Sequence, residues 1–491
     1  MSLISVNNLT FGYDSALENV FDHVSFHMDT SWRLGLIGRN GRGKSTLLKL
    51  LKGEMEYSGS ITADTDFYSF PYEVADKSEL TVEIIRAQCG REDWEIIKEL
   101  NTLSCDCGVL YRPFDTLSMG EQTKCLLSAV FLTDNAFLLM DEPTNHLDSD
   151  TRKTVAEYLK RKKGFILVSH NRFLLNEVCD HIISINRNSI DVISGNYDVW
   201  QDSFEKREQF EKSQNEKIRK DIKRLEISAR RSAAWSDKTE SSKFGGGPVD
   251  RGYIGHKAAK MMSRAKSYDK RIARQKTEKE KLLSDTENSF PLKLSPQIYR
   301  SNILGYAKNL SLSLYGNTVF SDISFEISRG DRIALKGKNG CGKSSLIKIL
   351  LGELTHTGGE YKINGDVKIS YISQSGEDVS GLLSDYAARA GIEYDLFLSI
   401  LNKLDFSSEL YARPAETYSL GQKKKVQIAK SLCERAHLYI WDEPMNYIDI
   451  ISRVQLENLI LEYTPTMIFV EHDETFAKES PQRLYICKKW Q

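Results

Sequence analysis

The octapeptide Gly38-Arg39-Asn40-Gly41-Arg42-Gly43-Lys44-Ser45 returns 299 positions later as Gly337-Lys338-Asn339-Gly340-Cys341-Gly342-Lys343-Ser344. Leu138-Leu139-Met140-Asp141-Glu142-Pro143 returns after 301 positions as Tyr439-Ile440-Trp441-Asp442-Glu443-Pro444, and Ser169-His170 after 302 as Glu471-His472. A nearly constant offset across three separate motifs is the mark of an internal duplication. The 491 residues therefore divide into two homologous domains, 1–200 and 301–491, around an unrepeated segment, 201–300.

Each repeat reads as mixed α/β. Residues 33–37 form a short apolar strand that feeds a Gly-rich turn, and residues 45–52 open a helix with Leu47, Leu48, Leu50 and Leu51 for packing. Residues 137–140 and 164–168 read as further short buried strands. Strand, glycine turn, helix and buried strands make a parallel-sheet nucleotide-binding pattern.

The motifs carry one chemistry. Glycines at 38, 41 and 43, and at 337, 340 and 342, let backbone N–H groups wrap phosphates. Lys44 and Lys343 are placed to neutralise β/γ oxygens, while Ser45 and Ser344 offer hydroxyls to Mg2+. Thr46 and Ser345 follow at the helix N-terminus, which itself favours anions. Asp141 and Asp442 end apolar strands, where an acid can help hold Mg2+. Glu142 and Glu443 come next, placed to polarise an attacking water, and His170 and His472 to sense a γ-phosphate. Ser118-Met119-Gly120-Glu121 and Ser419-Leu420-Gly421-Gln422 precede the acidic strands by about twenty residues. Each can present a hydroxyl and N–H groups to an anion; each also reads as an N-capped helix.

The insert is different in kind. From 211 to 280 there are 20 Lys and Arg against 10 Asp and Glu, a local +10 in a chain whose total is −1. Such a segment suits a polyanion, although a charged, solvated spacer helix has the same composition. Ile218, Ile222 and Leu225 follow a seam-like spacing, as do Met261, Ala265, Tyr268 and Ile272. Between them, residues 241–248 (SSKFGGGP) break any helix. An antiparallel hairpin is expected, with its tip at 236–258 and an arm reaching about 55 Å at 1.5 Å per residue. Trp235, Lys243, Phe244, Tyr253, Lys257, Met261 and Met262 are the tip residues suited to stacking on bases, probing a drug pocket or simply closing the hairpin.

Other classes are disfavoured. No run of 18 apolar residues exists for a transmembrane helix, and the N-terminus lacks a signal-peptide pattern. Eight cysteines without a Cys-x-x-Cys spacing suggest free thiols in a reducing compartment.

The ordered set of motifs resembles an ATP-binding-cassette (ABC) ATPase in both halves. That resemblance implies composite ATP sites: Lys44 and Glu142 with Ser419 and Gly421, and Lys343 and Glu443 with Ser118 and Gly120. It implies that Tyr13 and Tyr315 stack on adenine, that Asn40 and Asn339 belong to the phosphate loop, and that Gln374 is the Q-loop ligand of Mg2+. Tyr72, after Phe70-Pro71, stands where the first cassette of the family has glutamine. Asp141-Glu142-Pro143-Thr144-Asn145-His146-Leu147-Asp148, and Gly195-Asn196-Tyr197 before a charged linker, are similar to the ABC-F class. Tyr72 to Ser118 spans 46 positions and Gln374 to Ser419 spans 45, leaving no room for an inserted arm, and 19 residues follow His472. This plan resembles the Lsa-type resistance proteins of Gram-positive bacteria. The resemblance implies a cytoplasmic, ribosome-associated ATPase that enters the E site of the bacterial 70S ribosome. Its linker would meet large-subunit rRNA and P-site tRNA, protecting against lincosamides, pleuromutilins and streptogramin A compounds. No membrane partner and no oligomer are implied, because both ATP sites form within one chain. A housekeeping ABC-F translation factor, or a transporter ATPase subunit, is the alternative.

Overall fold

The computed structural model describes residues 2–14, 19–144, 147–186, 189–241, 270–271, 274, 292–314, 316–337, 340–470 and 483–486. They fall into two units: Met1–Trp200 with Phe290–Gln491, and Gln201–Ser289.

The first unit holds the same layered plan twice. In the first cassette a six-stranded sheet runs in the order Asp66–Phe70, Ala136–Asp141, Phe165–Val168, Arg33–Gly38, His181–Ile185, Ile190–Ser194. All neighbours are parallel except the last pair. In the second, a five-stranded parallel sheet runs Ile369–Ile372, Leu438–Asp442, Met467–Val470, Arg332–Lys336, Arg483–Ile486. Each cassette adds a three-stranded antiparallel sheet, Leu3–Phe11 or Ile303–Leu314 at its centre. Phe165–Val168 and Leu438–Asp442 are buried at every position. Strands covered on both faces need continuous apolar runs rather than alternation, and that is what both motif strands are.

Register positions the chemistry. Leu36 and Asp141 both lie level with Val168, and Leu335 and Asp442 both lie level with Val470. In each cassette the Gly-rich loop and Glu142 or Glu443 therefore leave the sheet at one carboxyl edge, the usual ligand edge of a parallel sheet.

The linker boundary moves from the expected 300 to 289. Leu292 and Leu294 are buried in the same core cluster as Tyr386 and Phe397, so the chain before 301 already belongs to the cassette. The helix Tyr197–Ser241 runs 45 residues, about 68 Å at 1.5 Å per residue, and from Gln201 onward it belongs to the second unit. It continues past the expected tip boundary at 236, because Ser-Asp-Lys-Thr-Glu-Ser at 236–241 contains neither glycine nor proline. Trp235 lies within this helix. Ile218 and Ile222, one turn apart, are half-buried. Lys243, Phe244, Tyr253, Lys257, Met261, Met262, Ala265, Tyr268 and Ile272 lie outside the described residues, and with them most of the returning arm of the expected hairpin. Among the described residues, no helix is long and apolar enough to cross a membrane.

Candidate active sites

The helices Lys44–Leu51 and Lys343–Leu350 begin at glycines in the left-handed region, Gly43 at φ 89° and Gly342 at φ 97°. A Cβ on Gly43 would sit 2.5 Å from Val20 Cγ1, and one on Gly342 2.6 Å from Val319 Cγ1. Only glycine satisfies both the dihedral and the space, so the turn into the helix is set identically in both cassettes. Lys44 Nζ donates to Gly38 O at 2.7 Å, Arg39 O at 3.1 Å and Asn40 Oδ1 at 3.3 Å. Lys343 Nζ donates to Gly337 O at 2.8 Å. Burial lowers the Lys44 ammonium from its usual range, opposed by Asp449, Glu142 and Asp141. An anionic ligand in the loop would reverse that penalty.

Hard oxygen donors converge beside each loop. Ser45 Oγ donates to Asp141 Oδ2 at 2.8 Å. Burial raises the Asp442 carboxyl, a hydrogen bond from Ser344 opposes it, and Asp442 Oδ1 is buried without a hydrogen-bond partner. A hydroxyl beside an under-satisfied carboxylate fits Mg2+, which binds few protein oxygens and keeps room for phosphate and water.

Glu142 and Glu443 both occupy the left-handed region, at φ 50° and φ 49°. Their N–H groups bond Val168 O at 2.9 Å and Val470 O at 3.1 Å. That clamp holds a conformation unfavourable for glutamate and turns each side chain toward its loop. Burial pushes the Glu142 carboxyl up to about 7, against the pull of Arg453 and Lys44. His170 Nε2 stands 3.6 Å from Glu142 Oε1, an oxygen buried without a hydrogen-bond partner. Burial, then the charges of Lys44 and Arg453, hold the His170 imidazole well below its usual range, so it faces the site neutral. Glu443 instead accepts from Gln374 Nε2 at 2.9 Å and from Asn446 Nδ2 at 2.5 Å. Gln374 is therefore engaged with the glutamate through its amide nitrogen.

Ser118 and Ser419 each cap a helix, Met119–Phe131 and Leu420–Cys433, in a reciprocal capping box. Ser118 N donates to Glu121 Oε2 and Ser419 N to Gln422 Oε1, both at 2.8 Å. The Glu or Gln of the motif thus shapes the helix end.

The second cassette's turn reaches the first cassette's loop. A Cβ on Gly421 would lie 2.6 Å from Tyr447 O and 3.3 Å from Asn40 Nδ2. Asn40 Nδ2 also donates to Tyr447 O at 2.9 Å. A cleft of about 660 Å³ is lined by Tyr13, Gly41, Lys44, Ser45, Thr46, Glu142 and His170 from one side. Ser419, Gly421, Gln422, Asp405, Phe406 and Arg453 line it from the other. Tyr13 donates or accepts a hydrogen bond with Thr46 Oγ1 at 2.9 Å and keeps 42% of its surface exposed.

Around Lys343 the cleft is about 420 Å³ and is lined by Gly340, Gly342, Ser344, Ser345, Gln374, Glu443 and Asn446. The first cassette contributes Leu147 and Arg152 to it, and Ser118, Gly120 and Glu121 are not in its lining. The second cassette's signature turn and the Lys44 loop thus line one cleft; at the other cleft, residues 145–146 and 338–339, which match the contact between Tyr447 and Asn40, lie outside the described residues. Tyr315, Asn339 and His472 lie outside the described residues. Tyr72 is half-buried, its hydroxyl buried and unpartnered, and it does not line the Lys44 cleft.

Sequence reading missed Arg453 and Arg152, which occupy the same place in the two repeats and each line the opposite cassette's cleft. The 301-residue offset was the signal that could have found them. It also missed Lys425, whose Nζ lies 3.2 Å from Asp449 Oδ2 with both side chains buried.

The ABC transporter family model matches residues 21–145 and 320–446, together just over half of the chain. Ribosome protection protein VmlR of Bacillus subtilis is 27% identical over 500 residues, covering 97% of this chain and 85% of that protein. ATP-binding protein Uup of Haemophilus influenzae is 25% identical, covering 99% of this chain and 79% of its own length. Among solved structures, the archaeal ribosome recycling factor aABCE1, in complex with the ribosomal stalk protein aP1, matches with a TM-score of 0.62 at 19% identity. That match covers 98% of this chain and 87% of the other, and shares the tandem-cassette fold. The chain belongs to the ABC transporter family, carries two of its ATPase domains in tandem, and is an ATP hydrolase of the ABC-F type.

Proposed function

We propose that this ATPase binds the bacterial 70S ribosome at the E site and protects it from antibiotics of the peptidyl transferase centre, using ATP to insert and withdraw its linker. The observation that carries the reading is the helix Tyr197–Ser241. It starts on Tyr197 and Trp200, both buried in the first cassette, and continues unbroken into the +10 segment. Full-length similarity to a protein named for ribosome protection supports the drug-protecting role over general translation. The basic segment suits RNA, since Lys and Arg contacts to phosphate drive such affinity and make it salt-sensitive. The cell compartment of this activity is the cytoplasm.

In this mechanism Lys44 and Lys343 bind the β- and γ-phosphates, and Tyr13 and Tyr315 stack on adenine. Ser45 with Asp141, and Ser344 with Asp442, would hold Mg2+; Gln374 would assist at the second site through its carbonyl oxygen. The ion, when bound, neutralises charge on the phosphate oxygens. Glu142 and Glu443 orient and polarise the attacking water, with His170 and His472 beside the γ-phosphate. Ser419 and Gly421 close on the first site and Ser118 and Gly120 on the second, so closure needs ATP and reopening follows hydrolysis.

The deciding experiment is a drug panel in a susceptible Gram-positive host. Wild-type chain should raise the inhibitory concentrations of a lincosamide, a pleuromutilin and a streptogramin A, but not a macrolide. The Glu142→Gln/Glu443→Gln chain should not. A soluble, ribosome-bound protein that raises none of them would instead be a translation factor acting on stalled ribosomes. A Glu142→Gln/Glu443→Gln chain that fails to sediment with ribosomes at low salt in ATP would reject both.

A further inference from the structure

Ionic contacts cross between the cassettes at the Lys44 site that the repeat could not form at the Lys343 site. Arg172 Nη2 lies 2.6 Å from Glu457 Oε2, with 11% and 8% of the two side chains exposed. Arg172 opens the helix Arg172–Val178 two residues after His170. Glu457 lies on Ile450–Tyr463, the helix that also carries Arg453. Arg39 and Arg42, within the phosphate loop, face Asp405 of the second cassette at 3.9 Å and 4.0 Å. Asp405 lines the cleft beside Ser419 and Gly421.

The matching positions break every pair. By the repeat offsets, Glu457 corresponds to Ala156 and Arg172 to Glu474. Asp405 corresponds to Ser104, and Arg42 to Cys341. Neither Ala156 nor Ser104 carries a charge, so the repeat keeps the acid of neither contact. A nearly dry, short Arg–carboxylate contact has strong orientational preference, and removing one partner strands the other charge. These contacts border the cleft that the Ser419-Leu420-Gly421 turn and the Lys44 loop line together.

We propose that Glu457 and Asp405 are positioning residues acting in trans on the first ATP site. They hold the Ser419-Leu420-Gly421 turn over the Lys44 loop, so that this site keeps its nucleotide while the Lys343 site exchanges. This rests on the reading of both clefts as ATP sites. The buried Arg172–Glu457 pair is the stronger element and the Asp405 pairs the weaker, because they are longer and wetter.

The test uses the full chain with Glu142→Gln and Glu443→Gln, loaded with labelled ATP and chased with excess unlabelled ATP. Lys44→Ala and Lys343→Ala assign each phase of release to a site. The expected result is two phases of equal amplitude, the slow one lost with Lys44→Ala. Glu457→Gln should accelerate the slow phase at least about ten-fold without moving the fast one, because breaking a buried charge pair acts on dissociation. Asp405→Ser should accelerate it about three-fold. The charge swap Arg172→Glu/Glu457→Arg should restore slow release, which a variant that merely unfolds cannot do. Equal release from both sites, a slow phase indifferent to Glu457→Gln, or a swap as fast as the single variant would each overturn the proposal. Label that is not retained, or is indifferent to both lysine variants, would overturn the ATP-site reading as well.

Discussion

Glu142 and Glu443 share a positive φ to within a degree and the same Asp-Glu-Pro triplet, yet the hydrogen bonds around them differ. Glu443 is held by two amides of its own cassette, Gln374 and Asn446. Glu142 has an oxygen with no hydrogen bond, a neutral histidine at 3.6 Å and Arg453 reaching in from the other cassette. Duplication has preserved the main chain, where sheet register and two glycines dictate geometry. It has let some of the side chains around each glutamate diverge, while the arginine that reaches each cleft from the other cassette, Arg453 or Arg152, is kept.

The largest effect that would sharpen this contrast lies under the signature helices. Lys425 and Asp449 are 3% and 0% exposed, so Lys425→Met would leave a buried carboxylate alone and cost about 3–5 kcal/mol. Lys124, its counterpart, donates only to Ser104 O at 3.2 Å near the surface, and Lys124→Met should cost no more than about 1 kcal/mol. Urea unfolding of both variants compares them; equal losses would mean the asymmetry does not reach stability. The same pair predicts a pH dependence. Lys425 and the Ser452 N–H hold the Asp449 carboxyl below its usual range despite burial. A depressed folded value stabilises above the unfolded value of about 3.9 and is lost as pH falls below it. Wild type should therefore lose more stability than Lys425→Met between about pH 4 and pH 2.

Smaller effects separate the two glutamates directly. Gln374→Leu removes a hydrogen bond to Glu443 and should lower turnover at the second site about ten-fold, since bonds to charged groups contribute about 1.5–3 kcal/mol. Single-turnover hydrolysis in a Glu142→Gln background reads it. Tyr72→Phe, at the equivalent position, deletes a hydroxyl that bonds nothing. It should leave first-site hydrolysis unchanged and shift stability by about 1 kcal/mol or less, in the favourable direction. A ten-fold loss with Tyr72→Phe would show that the tyrosine does the work of the missing glutamine.

The parts of the site that were legible in the sequence are local. A glycine loop, an acidic strand end and a capped helix each occupy a few consecutive residues, and repetition made each of them firmer. Composite pairing was legible only through the family resemblance, since Lys44 and Ser419 stand in different repeats. The interface residues were not legible, because Arg172 and Glu457 stand 285 positions apart and neither sits in a motif. The same applies to the linker's end. Residues 236–241 are charged and polar in a way that suits either a helix or a turn, and their continuation as helix depends on what precedes them. Where the chain before 301 joins the second cassette, Leu292 and Leu294 were the available sign, two apolar residues flanking a lysine.

The left-handed backbone at Glu142 and Glu443 has a consequence for how such a chain decays. Glycine and asparagine occupy that region with little strain, whereas glutamate pays of order 1–3 kcal/mol for it, besides the burial of a carboxyl. Replacement of either glutamate by glycine or asparagine is therefore thermodynamically downhill. A gene copy no longer selected for turnover would gain folding stability as it lost catalysis, and would persist as a sturdy protein that grips ATP and never lets the cycle finish.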